Sequence, residues 1–262
     1  MKRNRILFLL LLIAFSHKSF SQEDYVIEYE YTDRIGYSSS SKLIIHNNKE
    51  SIFKVFDERE SGGGTNPDTQ EMFYVVNDEL STFMYSNNSE IYTRIPYKRG
   101  RFIYKYPSNH HEWTLTGESK KINNYQCQKA VMKLHERTYC VWFTTEIPVN
   151  FGPLKLNGLP GLIVEGKDDK GYFSFSLLNV KKSWDKEFFN FYKGFFQKTK
   201  KVYSYNDYKS TLTNYMTNLK RKQVTMAAEM EVTISFDEDQ HFFTQYLIDI
   251  PENLIEELQK IN

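Results

Sequence analysis

The chain has 262 residues, with 34 Lys and Arg against 33 Asp and Glu, for a formal charge of +1. That balance excludes nucleic-acid binding driven by bulk charge. Aromatic residues make up 16%, with 20 Phe and 19 Tyr, which favours half-buried strands.

In chain order, Met1 to Ser21 reads as a secretory leader. Lys2, Arg3 and Arg5 precede an apolar run, Ile6 to Phe15, that is too short for a stable membrane span. Ser19-Phe20-Ser21 is a small-x-small cleavage site, so the mature chain is expected to start at Gln22. No Cys follows the apolar run, which argues against a lipid anchor, and no later run reaches membrane-spanning length. The mature protein, about 240 residues, is long enough for one large β domain. It is read as a single exported domain over 22–262, periplasmic or extracellular.

Tyr25 to Tyr31 alternates as a strand, and Gly36 to Ser41 reads as a small polar turn. Lys42 to Asn47 and Ser51 to Asp57 form a hairpin around Asn47-Asn48-Lys49. Glu58 to Gln70, with its three consecutive glycines, reads as a flexible linker. It lacks the Lys-Ser/Thr and helix start of a phosphate loop. Met72 to Val76, Leu80 to Tyr85 and Ile91 to Ile95 are short strands at meander spacing, and Lys98-Arg99-Gly100-Arg101 is a solvated basic turn.

Three segments then stand in fixed order. They are Trp113-Thr114-Leu115, Asn124-Tyr125-Gln126-Cys127-Gln128-Lys129-Ala130, and Val141-Trp142-Phe143-Thr144-Thr145-Glu146-Ile147-Pro148. After them comes the Gly152 to Gly166 run, with four glycines and two prolines around Leu156, Leu159, Leu162, Ile163 and Val164. Such a run specifies a backbone path across buried ground, with Pro160-Gly161 as a type II turn whose glycine has positive φ. Asn124 is expected to take the left-handed region. Together these motifs resemble the GLPGLI family of secreted bacterial proteins, named for the string Gly158 to Ile163. The resemblance implies a curved sheet. It is similar to the bowl-like β domain at the N-terminus of one secreted bacterial glycosidase, and more distantly to the half-barrels of periplasmic lipoprotein carriers.

Gly171 to Lys182 alternates as a half-buried strand after the Lys167 to Gly171 turn. The family core spans 113–182, and an aromatic, basic and helical extension follows over 183–222. Trp184 to Phe196 carries Phe188, Phe189 and Lys193. Asn206 to Lys222 has helical spacing, capped by Asn206 or Asp207. Positive charge dominates up to Lys222 and negative charge from Glu229 onward. A last strand, Glu229 to Phe236, and a short helix, Pro251 to Lys260, close the final segment, 227–262. The expected fold is mostly β: an antiparallel curved sheet forming an open barrel or bowl, with C-terminal helices packed on one face.

No catalytic spacing is recognisable. His110 and His111 are adjacent, so on a strand they point to opposite faces, and no metal-ligand spacing occurs. No cofactor or metal is expected. Glu146 and Glu165 bracket the central run as a candidate carboxylate pair. If His135-Glu136 is a two-residue turn, Cys127 and Cys140 stand about four residues, roughly 13 Å, out of step and cannot bridge. A loop over Met132 to His135 would bring them opposite, so a disulfide and buried free thiols both stay open. The ligand or partner surface is expected at Trp142, at the Leu159-Pro160-Gly161 turn, and at Phe188, Phe189 and Lys193. The reading that follows is a non-enzymatic envelope protein that binds an apolar or extended ligand, or an outer-membrane protein. The alternatives are a secreted hydrolase using Glu146 and Glu165, and an accessory subunit of an outer-membrane transporter.

Overall fold

The computed structural model describes residues 23–33, 36–60, 62–65, 72–75, 78–97, 100–108, 111–134, 137–229 and 254–261. The expected Met1 to Ser21 leader, His110, the expected His135-Glu136 turn, the basic pair Lys98-Arg99 and the 230–236 part of the expected last strand lie outside them. So does most of the acidic block. None of the described helices is long and apolar enough to cross a membrane.

The strands are β1 (Tyr25–Asp33), β2 (Ser38–His46), β3 (Glu50–Phe56), β4 (Gly62–Thr65), β5 (Met72–Val75), β6 (Phe83–Asn87), β7 (Glu90–Tyr97) and β8 (Gly100–Pro107). They continue with β9 (Thr114–Ile122), β10 (Tyr125–Leu134), β11 (Arg137–Thr144), β12 (Leu162–Asp168), β13 (Phe173–Lys182) and the two-residue β14 (Tyr203–Ser204). The helices are α1 (Lys186–Gln197), α2 (Tyr205–Glu229) and α3 (Leu254–Gln259). Twelve strands form one curved, unclosed sheet in the order β14-β8-β7-β6-β3-β2-β1-β13-β12-β11-β10-β9. The mostly β, open curved sheet with C-terminal helices is as the pattern implies.

The chain folds this way because β1–β3, β6 and β7 carry apolar residues on both faces, whereas β10–β13 bury mainly the inner one. On the inner face one cross-strand row runs Ile27, Leu43, Phe53, Met84, Thr93, Tyr104. On the outer face a parallel row runs Val26, Ile44, Ile52, Tyr85, Tyr92. The inner face is filled at one end by the 147–163 segment and at the other by α2 and α3 against Phe102 and Tyr104. Outside, α1 lays Phe189, Tyr192 and Phe196 on Val26, Ile44, Ile52 and Phe83.

Local details correct several expectations. Gly62 to Thr65 is a strand paired with β5 rather than a linker. The α2 cap is Ser204, not Asn206 or Asp207: Ser204 Oγ accepts from the Asp207 N–H (3.1 Å), while Asp207 Oδ2 accepts from the Ser204 N–H (3.3 Å). This is a reciprocal capping box. Glu229 ends that helix rather than opening a strand. In the β9–β10 turn the left-handed residue is Asn123 (φ 53°), not Asn124. The Asn47-Asn48 turn is as expected, both residues having φ 50°.

The central run does cross buried ground: Leu156, Leu159, Leu162, Ile163 and Val164 are all at most 2% exposed. Its glycines divide the work differently from the type II turn expected. Positive φ falls on Gly158 (97°) and Leu154 (57°), not on Gly161. Gly161 is needed for space, because a Cβ there would sit 2.0 Å from the Thr144 carbonyl oxygen. Trp113 Nε1–H donates to the Asn157 carbonyl (2.9 Å) and ties β9 to this segment.

Candidate functional site

The part of the outer face beyond α1 is polar and open. The register sets Lys129, Trp142, Glu165, Ser176 and Glu30 side by side on five adjacent strands. One step along, Cys140, Lys167, Ser174 and Thr32 make a second row. Residues of one row share a face because side chains alternate with period two. The two rows line a cleft of about 280 Å³ floored by Gly166 and Phe175. Gly166 faces the core: a Cβ on it would meet Phe175 and Val141.

Trp142 is half-buried and walls this cleft at its β11 end. Lys120 Nζ lies 4.4 Å from its ring centroid and Lys129 Nζ 5.9 Å, both within cation–π range. Each lysine is also paired. Lys120 bonds Glu165 at 3.3 and 3.4 Å, reaching across the indole, and Lys129 bonds Glu118 at 2.8 Å. The Lys129 hydrogen bond holds the Glu118 carboxyl below its usual range, and Glu118 in turn raises Lys129. Lys120 and Glu165 are 40% and 44% exposed. Such a pair contributes at most about 1 kcal/mol, so it opens readily. The cleft thus offers an aromatic face, two carboxylates, three hydroxyls and a removable lysine strap.

A second outer-face cleft, about 660 Å³, lies where β3 meets α1, lined by Lys54, Phe56 and Tyr192 with Asp57 to Glu60, Asp78, Glu79 and Ser81. Lys54, 3% exposed, donates to the Val55 carbonyl (2.9 Å) and to that of Leu80. Burial, then the Arg94 charge, push its amine down to about 8. Asp78 is bonded by Arg94. Burial would raise this carboxyl, but the Arg94 hydrogen bond and charge outweigh it and hold it low.

The structure disperses the expected surface. Trp142 lies in the first cleft, while Leu159 is buried in the core and Gly161 beside it, leaving Pro160 exposed. Phe189 is buried under α1 and Phe188 half-buried. Lys193 is held by Glu50 at 2.6 and 2.8 Å. Glu165 lines the cleft, whereas Glu146 accepts the Gln126 N–H at 2.7 Å. Cys127 and Cys140 are free thiols, since β10 and β11 adopt the register pairing Leu134 with Arg137 and Val131 with Cys140. Burial raises the Cys127 thiol. His111 is half-buried, and among the described residues no cluster of His, Cys, Asp or Glu could hold a metal. Sequence reasoning missed Glu30, Ser174 and Ser176. Their alternation was visible, but not that β1 pairs with β13.

The family model described as N-glycanase peptide, N-terminal domain, matches residues 35–207. Among solved structures, PNGF-II in the P21 space group is similar at 18% identity and a TM-score of 0.48, covering 72% of this chain and 32% of that one. PNGF-II in the C2 space group gives 20% and 0.43, covering 70% and 31%. The chain therefore spans about a third of the length of PNGF-II. No curated protein matches. The family match overturns the GLPGLI assignment. It also overturns the reading as a non-enzymatic envelope binder, because the matched family is a glycan-processing one.

Proposed function

Because this chain belongs to the N-glycanase peptide N-terminal domain family, we propose that it acts in the processing of N-linked glycans, with the Trp142 cleft as the place where carbohydrate is held. The observation that carries this reading is the row Trp142, Glu165, Ser176, Glu30 on a stretch of sheet that no described element covers. A sugar ring has an apolar C–H face and a rim of hydroxyls. An indole receives the face, and carboxylates and serine hydroxyls receive the rim. The volume of about 280 Å³ suits one or two sugar units. As sugar enters, the half-exposed Lys120–Glu165 pair opens. Glu165 then accepts hydroxyl donors, and Lys120 swings clear of the indole face it had covered. The mixed charge of the cleft suits a neutral ligand. The Met1 to Ser21 leader fits the same proposal, since N-linked glycans are carried on the surface of secreted proteins.

Titration of the protein with an N-glycopeptide, followed by calorimetry, tests the reading. Saturable binding that Trp142→Ala weakens about tenfold is the expected result. Absence of any binding heat at millimolar glycopeptide would sink it.

A further inference from the structure

The two clefts share one row of the sheet. From Trp142 the register runs through Glu165, Ser176 and Glu30 to Ser40 on β2 and Phe56 on β3. Phe56 is a wall of the 660 Å³ cleft, and Trp142 walls the far end of the smaller one. Five inter-strand steps of about 4.8 Å place the two aromatic residues about 24 Å apart along the row. Between them the row carries only carboxylates and hydroxyls, and Glu30 and Ser40 are exposed. The neighbouring row adds Lys167, Ser174, Thr32 and Ser38, with Thr32 and Ser38 hydroxyls bonded at 3.0 Å. The track is therefore two residues wide, free of large apolar side chains along its middle, and ends in an aromatic ring on each side.

From this we infer that the two clefts are the ends of one groove, and that the protein takes an extended, neutral oligosaccharide of several units rather than a single sugar. The inference rests on the proposed glycan reading and deepens it. Charge decides the ligand class. The track mixes Glu30 and Glu165 with Lys120 and Lys167, so it has no cationic excess to attract a polyanion. Its hydroxyls and carboxylates are spaced by the sheet to meet successive hydroxyl groups. At the far end Phe56 lies 6.1 Å from Phe188 and under Lys54 (5.3 Å), and Tyr192 forms the opposing wall. A terminal sugar there meets an aromatic face beside carboxylates, as the first sugar does at Trp142.

The test compares chitobiose with a neutral high-mannose oligosaccharide, both titrated into the full chain. Wild type is expected to bind the long glycan at least about tenfold more tightly than the disaccharide. Phe56→Ala should bring the long glycan down to the disaccharide level and leave chitobiose binding at the Trp142 end unchanged, while Trp142→Ala should weaken both ligands. Because Phe56 also packs on α1, Ser40→Arg serves as a second variant. It sits on an exposed strand position, so it should unfold at the wild-type midpoint and block the long glycan alone. Equal affinity of wild type for the two ligands overturns the extended groove. So does a Ser40→Arg variant that binds both as wild type does. In either case Trp142-dependent chitobiose binding would still uphold the glycan reading. If neither ligand binds wild type, both proposals fall together.

Discussion

The outer face of the sheet is built in two halves that share strands of the same geometry and use aromatic residues in opposite ways. Over β2, β3, β6 and β7 the aromatics are roofed by α1. Phe83 is fully buried, with Tyr192, Phe195 and Phe196 rings 4.7 to 5.2 Å from its own. Over β11 to β13 no described element lies above Trp142, which rests partly against the core and meets two lysines and Glu165 on its open side. An aromatic residue on this sheet is a core residue or a ligand platform according to what the chain lays over it, and residue type alone does not distinguish the two. The cost of mutation should divide the same way.

The largest effect is expected under the helix. Phe83→Ala empties the centre of the ring cluster and should cost about 3–5 kcal/mol in denaturant unfolding. A cost near zero would mean that α1 is not seated on the sheet. Next is Lys54, buried on the boundary between the halves. Its amine is held at about 8 in the folded chain, below the ordinary lysine value of 10.5. Between those values the unfolded chain binds more protons, so stability rises with pH. From pH 8 to about 9.5 the gain is about 2 kcal/mol, and Lys54→Met should lose that increment. The fully buried Lys155, also held well below its usual value, acts in the same direction in both proteins and cancels in the comparison. Buried tyrosines such as Tyr29 are raised, so their contribution is full below about pH 10 and is lost only above it. Unfolding curves across that range check the slope.

In the open half the order of effects reverses. Trp142→Ala should cost no more than about 1–2 kcal/mol in unfolding, since the indole is only half-buried, and weaken glycan binding about tenfold. A large loss of stability would show that Trp142 is structural after all. The smallest effect belongs to Lys120→Met. Removing a half-exposed ion pair should shift stability by less than about 1 kcal/mol, and freeing Glu165 and the indole should tighten glycan binding up to about fivefold. Weaker binding by calorimetry would instead make Lys120 a direct ligand contact.

The family assignment shows how a short motif misleads. The glycines of the central run answer to local geometry, since Gly161 must clear the Thr144 carbonyl and Gly158 must take positive φ. Any chain that threads a segment past a strand in this way needs the same residues, so the string reports a backbone path more than a lineage. The match over residues 35–207 spans β2 to β14 and carries the family instead.

The sequence by itself determined what depends on neighbouring residues. Alternation marked β1 and β13, the Asn47-Asn48 pair placed the β2–β3 hairpin, and the apolar residues of the central run foretold its burial. Its local chemistry also left Cys127 and Cys140 as an open question, because two turn lengths fit the same residues. Only the tertiary structure decided which strands adjoin across long separations: β1 beside β13, β3 beside β6, and α1 over one half of the outer face. The side-chain period fixes which residues of a strand share a face, but pairing between distant strands depends on how the entire sheet closes its hydrophobic surfaces. That pairing is what sets Trp142, Glu165, Ser176 and Glu30 in a single row.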